Sequence, residues 1–391
     1  MKPLSDLRVL SFTHAASGPY AGRLLSEWGA DLVKIEPPGG AFERQSAQHH
    51  HYLSNRGKQS LSIDLKTEEG QEAIYRLVDK SDIILESYRP GVMEKLGLDA
   101  ETLMKRNDEL VYCSISGFGN SGPYKDRPAY DPIAQALSGV MHMTGNPEGK
   151  PSRVGAPLID LGTATNAVLS IMMAIHERER TGKGQRVETS LYETAYGWGG
   201  MWSVFYSLHG YVPDRMGDKI GSYAPVGAYE TKDGDVYMSA LGDPTWKKLA
   251  RALDLDSLVT DDRFAESDSR RDNREDLDQL IESKTVEYET EELVNHMLEH
   301  NVPIAEIKSV SEVLEDEHLQ ERGMIVEGET EDGTPITAPD VPMKLGSAEP
   351  ERGVTPPALG EHTAKILEGA GYEPKEVADL LERGIVVGPE N

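Results

Sequence analysis

Strand-like apolar runs that alternate with helix signals predict an α/β protein with a mostly parallel sheet. The alternation fills the first half of the chain. A polar stretch, a hairpin signal and rising acidic density then mark a smaller second unit. A length of 391 residues accommodates two or three such units.

The elements follow in order. Leu7 to Phe12 is the first strand. Pro19 to Trp28 reads as a helix that Gly29 closes. Asp31 to Ile35 and Leu61 to Leu65 are strands, and Thr67 caps a helix running to about Lys80. Ile83 to Leu85 and Leu110 to Ser116 complete the early strands. Gly117 to Arg127 is a Gly- and Pro-rich loop. Ile133 to Met143 and Thr163 to Glu179 read as helices, Thr181 to Gln185 as a turn, and Arg186 to Ser190 as a strand. Val212 to Gly221 is a polar linker, and Asp233-Gly234 centres a hairpin. Pro374 to Arg383 is a closing helix with proline in its first turn. The domains expected are 1–210, a small one at 225–310, and a C-terminal segment, 325–391, returning to the first.

There are 67 Asp and Glu against 40 Lys and Arg, a formal net charge of -27. Nucleic acid and anionic membrane are therefore excluded as partners. Molar salt shortens the Debye length to ~3 Å and screens such self-repulsion, so a salt-loving host fits better than a merely acidic one. Cys113 is the single cysteine, which rules out an internal disulfide, suits a reducing cytoplasm and, within Leu110 to Cys113, reads as a core position. No signal peptide is read at Met1 to Asp6, so a cytoplasmic location is expected. The apolar stretch Ala167 to Ile175 is too short to span a bilayer.

Three motifs invite chemistry. Gly117 to Gly122 matches G-x-G-x-x-G, but Pro123 and Pro128 follow where a dinucleotide site needs a helix to open. His49-His50-His51 reads as a solvated loop, since adjacent imidazoles do not converge on one ion; no metal site is expected. Asp160 ends an apolar run, Gly162 allows close backbone approach, and a helix follows. A helix N-terminus favours an ionised, nucleophilic carboxylate there. The same features also describe a plain N-cap.

An ordered set of segments resembles the class III CoA-transferase family, which includes formyl-CoA and carnitine CoA-transferases. The set runs through Leu7–Phe12 with Gly18-Pro19, Gly29–Pro37 with Gly39-Gly40, Asn55–Ser60 with Asp64-Leu65, and Glu86–Gly91. It continues through Ser116–Gly119, Arg127–Asp131, Thr181–Gln185 and Leu359–Thr363. The resemblance implies a large Rossmann-like domain with a smaller α+β domain, in a homodimer of interlocked rings. It implies that Asp160 attacks an acyl-CoA thioester, forming first an aspartyl anhydride and then an aspartyl-CoA thioester. It places Ala15, Lys66, Tyr88, Lys95 and Leu96 against CoA, with Arg89 and Arg127 beside them. Tyr130 and Asp131 match a Tyr–acid pair near the nucleophile. Gly18 and Gly242 are candidate oxyanion donors. CoA enters as a substrate, and no permanently bound cofactor is implied.

Departures narrow the substrate. Ala16 replaces a glutamine of formyl-CoA transferase at the substrate position, and Pro37 replaces an arginine that contacts CoA there. The glycine lid is absent, with Leu241-Gly242-Asp243-Pro244 the nearest candidate. The alternative of an acyl-CoA racemase needs a His base in a Gly-His-Asp triplet, where this chain has Ala129-Tyr130-Asp131. An NAD-dependent oxidoreductase and a non-catalytic CoA-binding subunit are further alternatives. A salt-loving host and an open small-acid site point to dicarboxylates; the resemblance and the host together imply succinyl-CoA as donor and mesaconate as leading acceptor, with malate, citramalate, itaconate or an aromatic acid as alternatives.

Overall fold

The computed structural model describes residues 2–389. They form two compact units. One comprises residues up to 141, 153–211 and from 318 onward, and the other comprises 142–152 and 212–317. The second unit thus draws on 142–152, which sequence reading left in the large domain. Within that unit Gly217 N–H donates to Gly145 O at 3.0 Å, and Arg215 Nη1 donates to His142 O at 3.4 Å.

The large unit is built on β1 (Arg8–Phe12), β2 (Asp31–Glu36), β3 (Gln59–Ile63), β4 (Ile83–Glu86), β5 (Val111–Ser116) and β6 (Arg186–Ser190). Their order in the sheet is 3-2-1-4-5-6, all parallel, and the short Val386–Val387 strand adds antiparallel to β3. This is the doubly wound order, whose strand direction of growth reverses between β1 and β4.

Alternation along each strand feeds two cores. Leu10, Phe12, Val33, Ile35, Ile84 and Tyr112 pack with Ile74 and Leu77 of the Glu68–Val78 helix and with Leu367 and Leu380 from the C-terminal segment. Val9, Leu32, Leu85, Val111 and Cys113 pack on the other face with Ala21 and Leu25 of the Ser17–Glu27 helix and Ala167 and Ile171 of the Leu158–Thr181 helix. Cys113 is fully buried, and burial pushes its thiol pKa upward, away from nucleophilic use.

Several boundaries move. The first helix starts at Ser17, two residues before Pro19. The helix expected over Ile133 to Met143 divides into Asp131–Leu137 and Val140–Met143 around Gly139, whose φ is 88°. His49 to His51 lie in the Gln48–Ser54 helix rather than a loop. His51 is buried beside Asn55, and burial lowers its pKa to about 3. The Leu158–Thr181 helix has 24 residues and is long and apolar enough to cross a membrane, unlike the Ala167 to Ile175 stretch alone. Its Ile159, Ala164, Ala167 and Ile171 are instead buried against protein.

The second unit carries an antiparallel sheet of β7 (Val226–Glu230), β8 (Asp235–Ser239) and β9 (Ile304–Glu306). Trp246, Phe264, Leu277 and Leu293 form its core with Met238. Arg270 is fully buried there, donating to the carbonyls of Ala224, Phe264 and Ala265 and to Asp243 Oδ1.

Candidate active site

The carboxyl ends of β1, β4 and β5 open into loops that line one cavity, as a doubly wound sheet places its ligand site. His14 to Gly18 follow β1, Ser87 to Pro90 follow β4, and Ser116 ends β5 with Gly117 after it. Lys125 and Arg127 to Tyr130 come from the loop beyond, and Asp160 from the Leu158–Thr181 helix.

Asp160 lies within the first turn of that helix, not ahead of it. It is not the cap. Asp131, 5% exposed, does the capping: its Oδ2 accepts from Ile159 N–H at 2.8 Å and Asp160 N–H at 3.2 Å. Gln135 donates to the other Asp131 oxygen and accepts Val154 N–H at 2.9 Å. Asp160 is thereby freed to face the cavity, where its Oδ1 accepts the Ser17 hydroxyl at 2.5 Å. Burial, reinforced by the Asp131 charge and opposed by the Ser17 hydrogen bond, raises the Asp160 pKa to about 6. Desolvation thus raises the pKa of a carboxylate that sits in the first turn of a helix. Gly162 does admit close approach: an added Cβ would lie 2.0 Å from the Trp198 ring.

The β1 loop is rigidly held. His14 N–H donates to Ser87 Oγ at 3.1 Å, and the His14 ring stacks on Tyr88 with centroids 5.4 Å apart. Ala15 takes a φ of 64°, a strained setting for a residue with a Cβ. Burial lowers the His14 pKa. The His14 Nδ1 is buried with no hydrogen-bond partner among the described residues. A lone pair tolerates that better than an N–H, which favours the proton on Nε2.

Of the residues expected at the site, Ala15, Ala16, Gly18, Tyr88, Arg89, Arg127, Tyr130 and Asp160 line the cavity. Asp131 does not, because its carboxylate holds the helix. Lys66 is exposed just beyond β3, Lys95 is exposed at the end of the short Val92–Lys95 helix, and Leu96 packs on the core. Gly242 belongs to the second unit, where its φ of 87° precedes the Asp243–Ala252 helix. Sequence reading missed His14, Ser17, Ser87 and Lys125. Ser17 had the clearest local signal, a serine immediately before Gly18-Pro19 at a helix start, but that pattern ordinarily means a cap.

The cavity wall carries one carboxylate, Asp160, against the cations Arg89, Lys125 and Arg127. Arg127 lies 3.7 Å over the Tyr124 ring. Among the described residues no His, Cys, Asp or Glu group could hold a metal ion. The Gly117 to Gly122 loop opens no helix; the next begins at Asp131, which removes the structural basis for dinucleotide binding.

The sequence pattern of CoA-transferase family III matches residues 4–363. The chain belongs to that family. This family III enzyme is 36% identical over 387 residues to a succinyl-CoA:mesaconate CoA-transferase of Haloarcula hispanica, covering 95% of this chain and 97% of that one. It is 35% identical to a succinyl-CoA–D-citramalate CoA-transferase of Chloroflexus aurantiacus, covering 93% of each chain. The crystal structure of a CAIB/BAIF family protein from Brucella suis aligns with a TM-score of 0.86 at 32% identity, covering 94% of this chain and 99% of that one. The fold class and the transferase activity expected from the motifs are those of the family.

Proposed function

We propose that this enzyme moves CoA from succinyl-CoA to a small dicarboxylic acid, mesaconate foremost, with Asp160 as the nucleophile. One observation carries the reading: a single carboxylate faces a cavity lined with three cations, in a chain of net charge -27. Such a local reversal of sign draws anions toward that carboxylate. Both an acyl-CoA and a dicarboxylate are anionic.

Asp160 attacks the donor thioester, giving an aspartyl anhydride and CoA thiolate. The thiolate attacks the aspartyl carbonyl, releases the donor acid and leaves an aspartyl-CoA thioester. The acceptor carboxylate then displaces the thiolate, which re-attacks to release the new acyl-CoA. A carboxylate nucleophile divides one hard exchange into easier steps. Arg89 and Arg127, with Tyr88 and Ala15, contact CoA, and Lys66 and Lys95 reach its phosphates along the same sheet edge. Lys125 and Tyr130 hold the acid, and Ala16 leaves it room. The relatives named above support the choice of acids, and those from Haloarcula and the charge support a salt-loving host. The single buried cysteine supports a cytoplasmic setting.

The assembly is a homodimer of interlocked chains. Supporting it, Trp198, Met201, Val204 and Leu208 are each more than half exposed around the Gly200–His209 helix, as is Met173 on the Leu158–Thr181 helix.

An assay in molar KCl with succinyl-CoA and a panel of acids tests the substrate. Mesaconate is expected to be the fastest acceptor, and Asp160→Ala to abolish transfer to every acid. Faster transfer to another acid would discard mesaconate alone. Deuterium uptake at the α-carbon without CoA exchange would replace transfer by racemisation.

A further inference from the structure

We infer that the Ser17 hydroxyl is the oxyanion donor for the intermediates formed on Asp160, an inference that rests on Asp160 being the nucleophile. Ser17 is 7% exposed and opens the Ser17–Glu27 helix, 143 residues from its partner in sequence. Its Oγ donates to Asp160 Oδ1 at 2.5 Å, while no hydrogen bond engages Oδ2 among the described residues. The engaged oxygen is held and the open one faces the cavity, so Oδ2 is the atom placed to attack the donor.

The electron flow then returns to Oδ1 twice. Thiolate sulfur bonds to Cγ of the anhydride as the C=O pair moves onto Oδ1; collapse breaks the Cγ–Oδ2 bond and expels the donor acid as its carboxylate. The acceptor carboxylate next bonds to Cγ of the thioester, again charging Oδ1, and collapse breaks Cγ–S and returns the thiolate. No proton is lost or gained in either step. An O–H already aimed at Oδ1 stabilises both tetrahedral states without reorganising. The first attack, by contrast, places its oxyanion on the substrate, beyond Ser17.

Ser17→Ala tests this. Removal of one oxyanion donor is expected to lower kcat about 10²-fold, with CoA affinity changed by less than about twofold. Aspartyl-CoA formation, followed by rapid quench with succinyl-CoA alone, is expected to slow by the same factor. A kcat within about threefold of wild type would overturn the inference. So would a fall in kcat that merely tracks lost CoA binding. Asp160→Ala run in parallel separates the two ideas: activity surviving in it refutes the nucleophile itself, whereas an inactive Asp160→Ala beside a fully active Ser17→Ala refutes only the role of Ser17.

Discussion

As the proposed nucleophile, Asp160 would attack in its ionised form, yet the protein raises its pKa from 3.8 to about 6. The raised value has a definite sign. The native state binds a proton more readily than the unfolded chain, so ionised Asp160 costs the fold up to about 3 kcal/mol above pH 6. That cost shrinks as pH falls toward 4. Asp160→Asn should therefore melt higher than wild type at pH 8, with the difference closing between about pH 6 and 4. The kcat/KM of the wild type should fall as pH drops through about 6. Thermal melts and a pH–rate profile check both; an Asn variant less stable at pH 8 would contradict the burial argument. Asp160 was legible in the sequence only through its place in an ordered family set. Ser17 was not, because its local signal, a serine at a helix start, reads as a cap and does not reveal a contact across 143 residues.

Elements explain why Asp160 can point outward. The Leu158–Thr181 helix has Pro157 at its N-cap position, which offers no side-chain acceptor, and Asp131 from the Asp131–Leu137 helix supplies one instead. The local sequence fits a cap as well as a nucleophile at Asp160, and the resemblance puts Asp131 beside the substrate; the structure gives Asp131 the cap. Asp131→Ala should destabilise the fold by about 1–3 kcal/mol and lower kcat more than it raises KM. Denaturant melts and steady-state kinetics check it. Unchanged stability would mean that the helix needs no such support. Most parallel strands of the large unit were read to within a residue because their apolar runs are short and bounded; Gln59–Ile63 lies two residues earlier than expected, and the short strands after residue 300 carried no such run. Helix starts with a local signal, the Thr67 cap and Pro374, were legible, whereas the start at Leu158 was not, because its cap comes from Asp131 and leaves no local pattern.

At the scale of the molecule, parallel βαβ alternation was legible, whereas the 3-2-1-4-5-6 order was not, since pairing order is set by three-dimensional packing rather than by any one segment. The net charge of -27 governs the chain as a body. Screening should relieve self-repulsion, so the melting temperature should rise through a KCl series up to molar concentration. Light scattering in the same series should give the mass of two chains. A melting temperature independent of salt would count against adaptation to salt, and a one-chain mass against the dimer.

Hydroxylamine traps the covalent bond proposed at Asp160. Enzyme incubated with succinyl-CoA and hydroxylamine should lose activity and carry a hydroxamate at Asp160 in peptide mass spectrometry, with none formed when acyl-CoA is omitted. Continued turnover with Asp160 unmodified, or a hydroxamate at another carboxylate, would contradict the account.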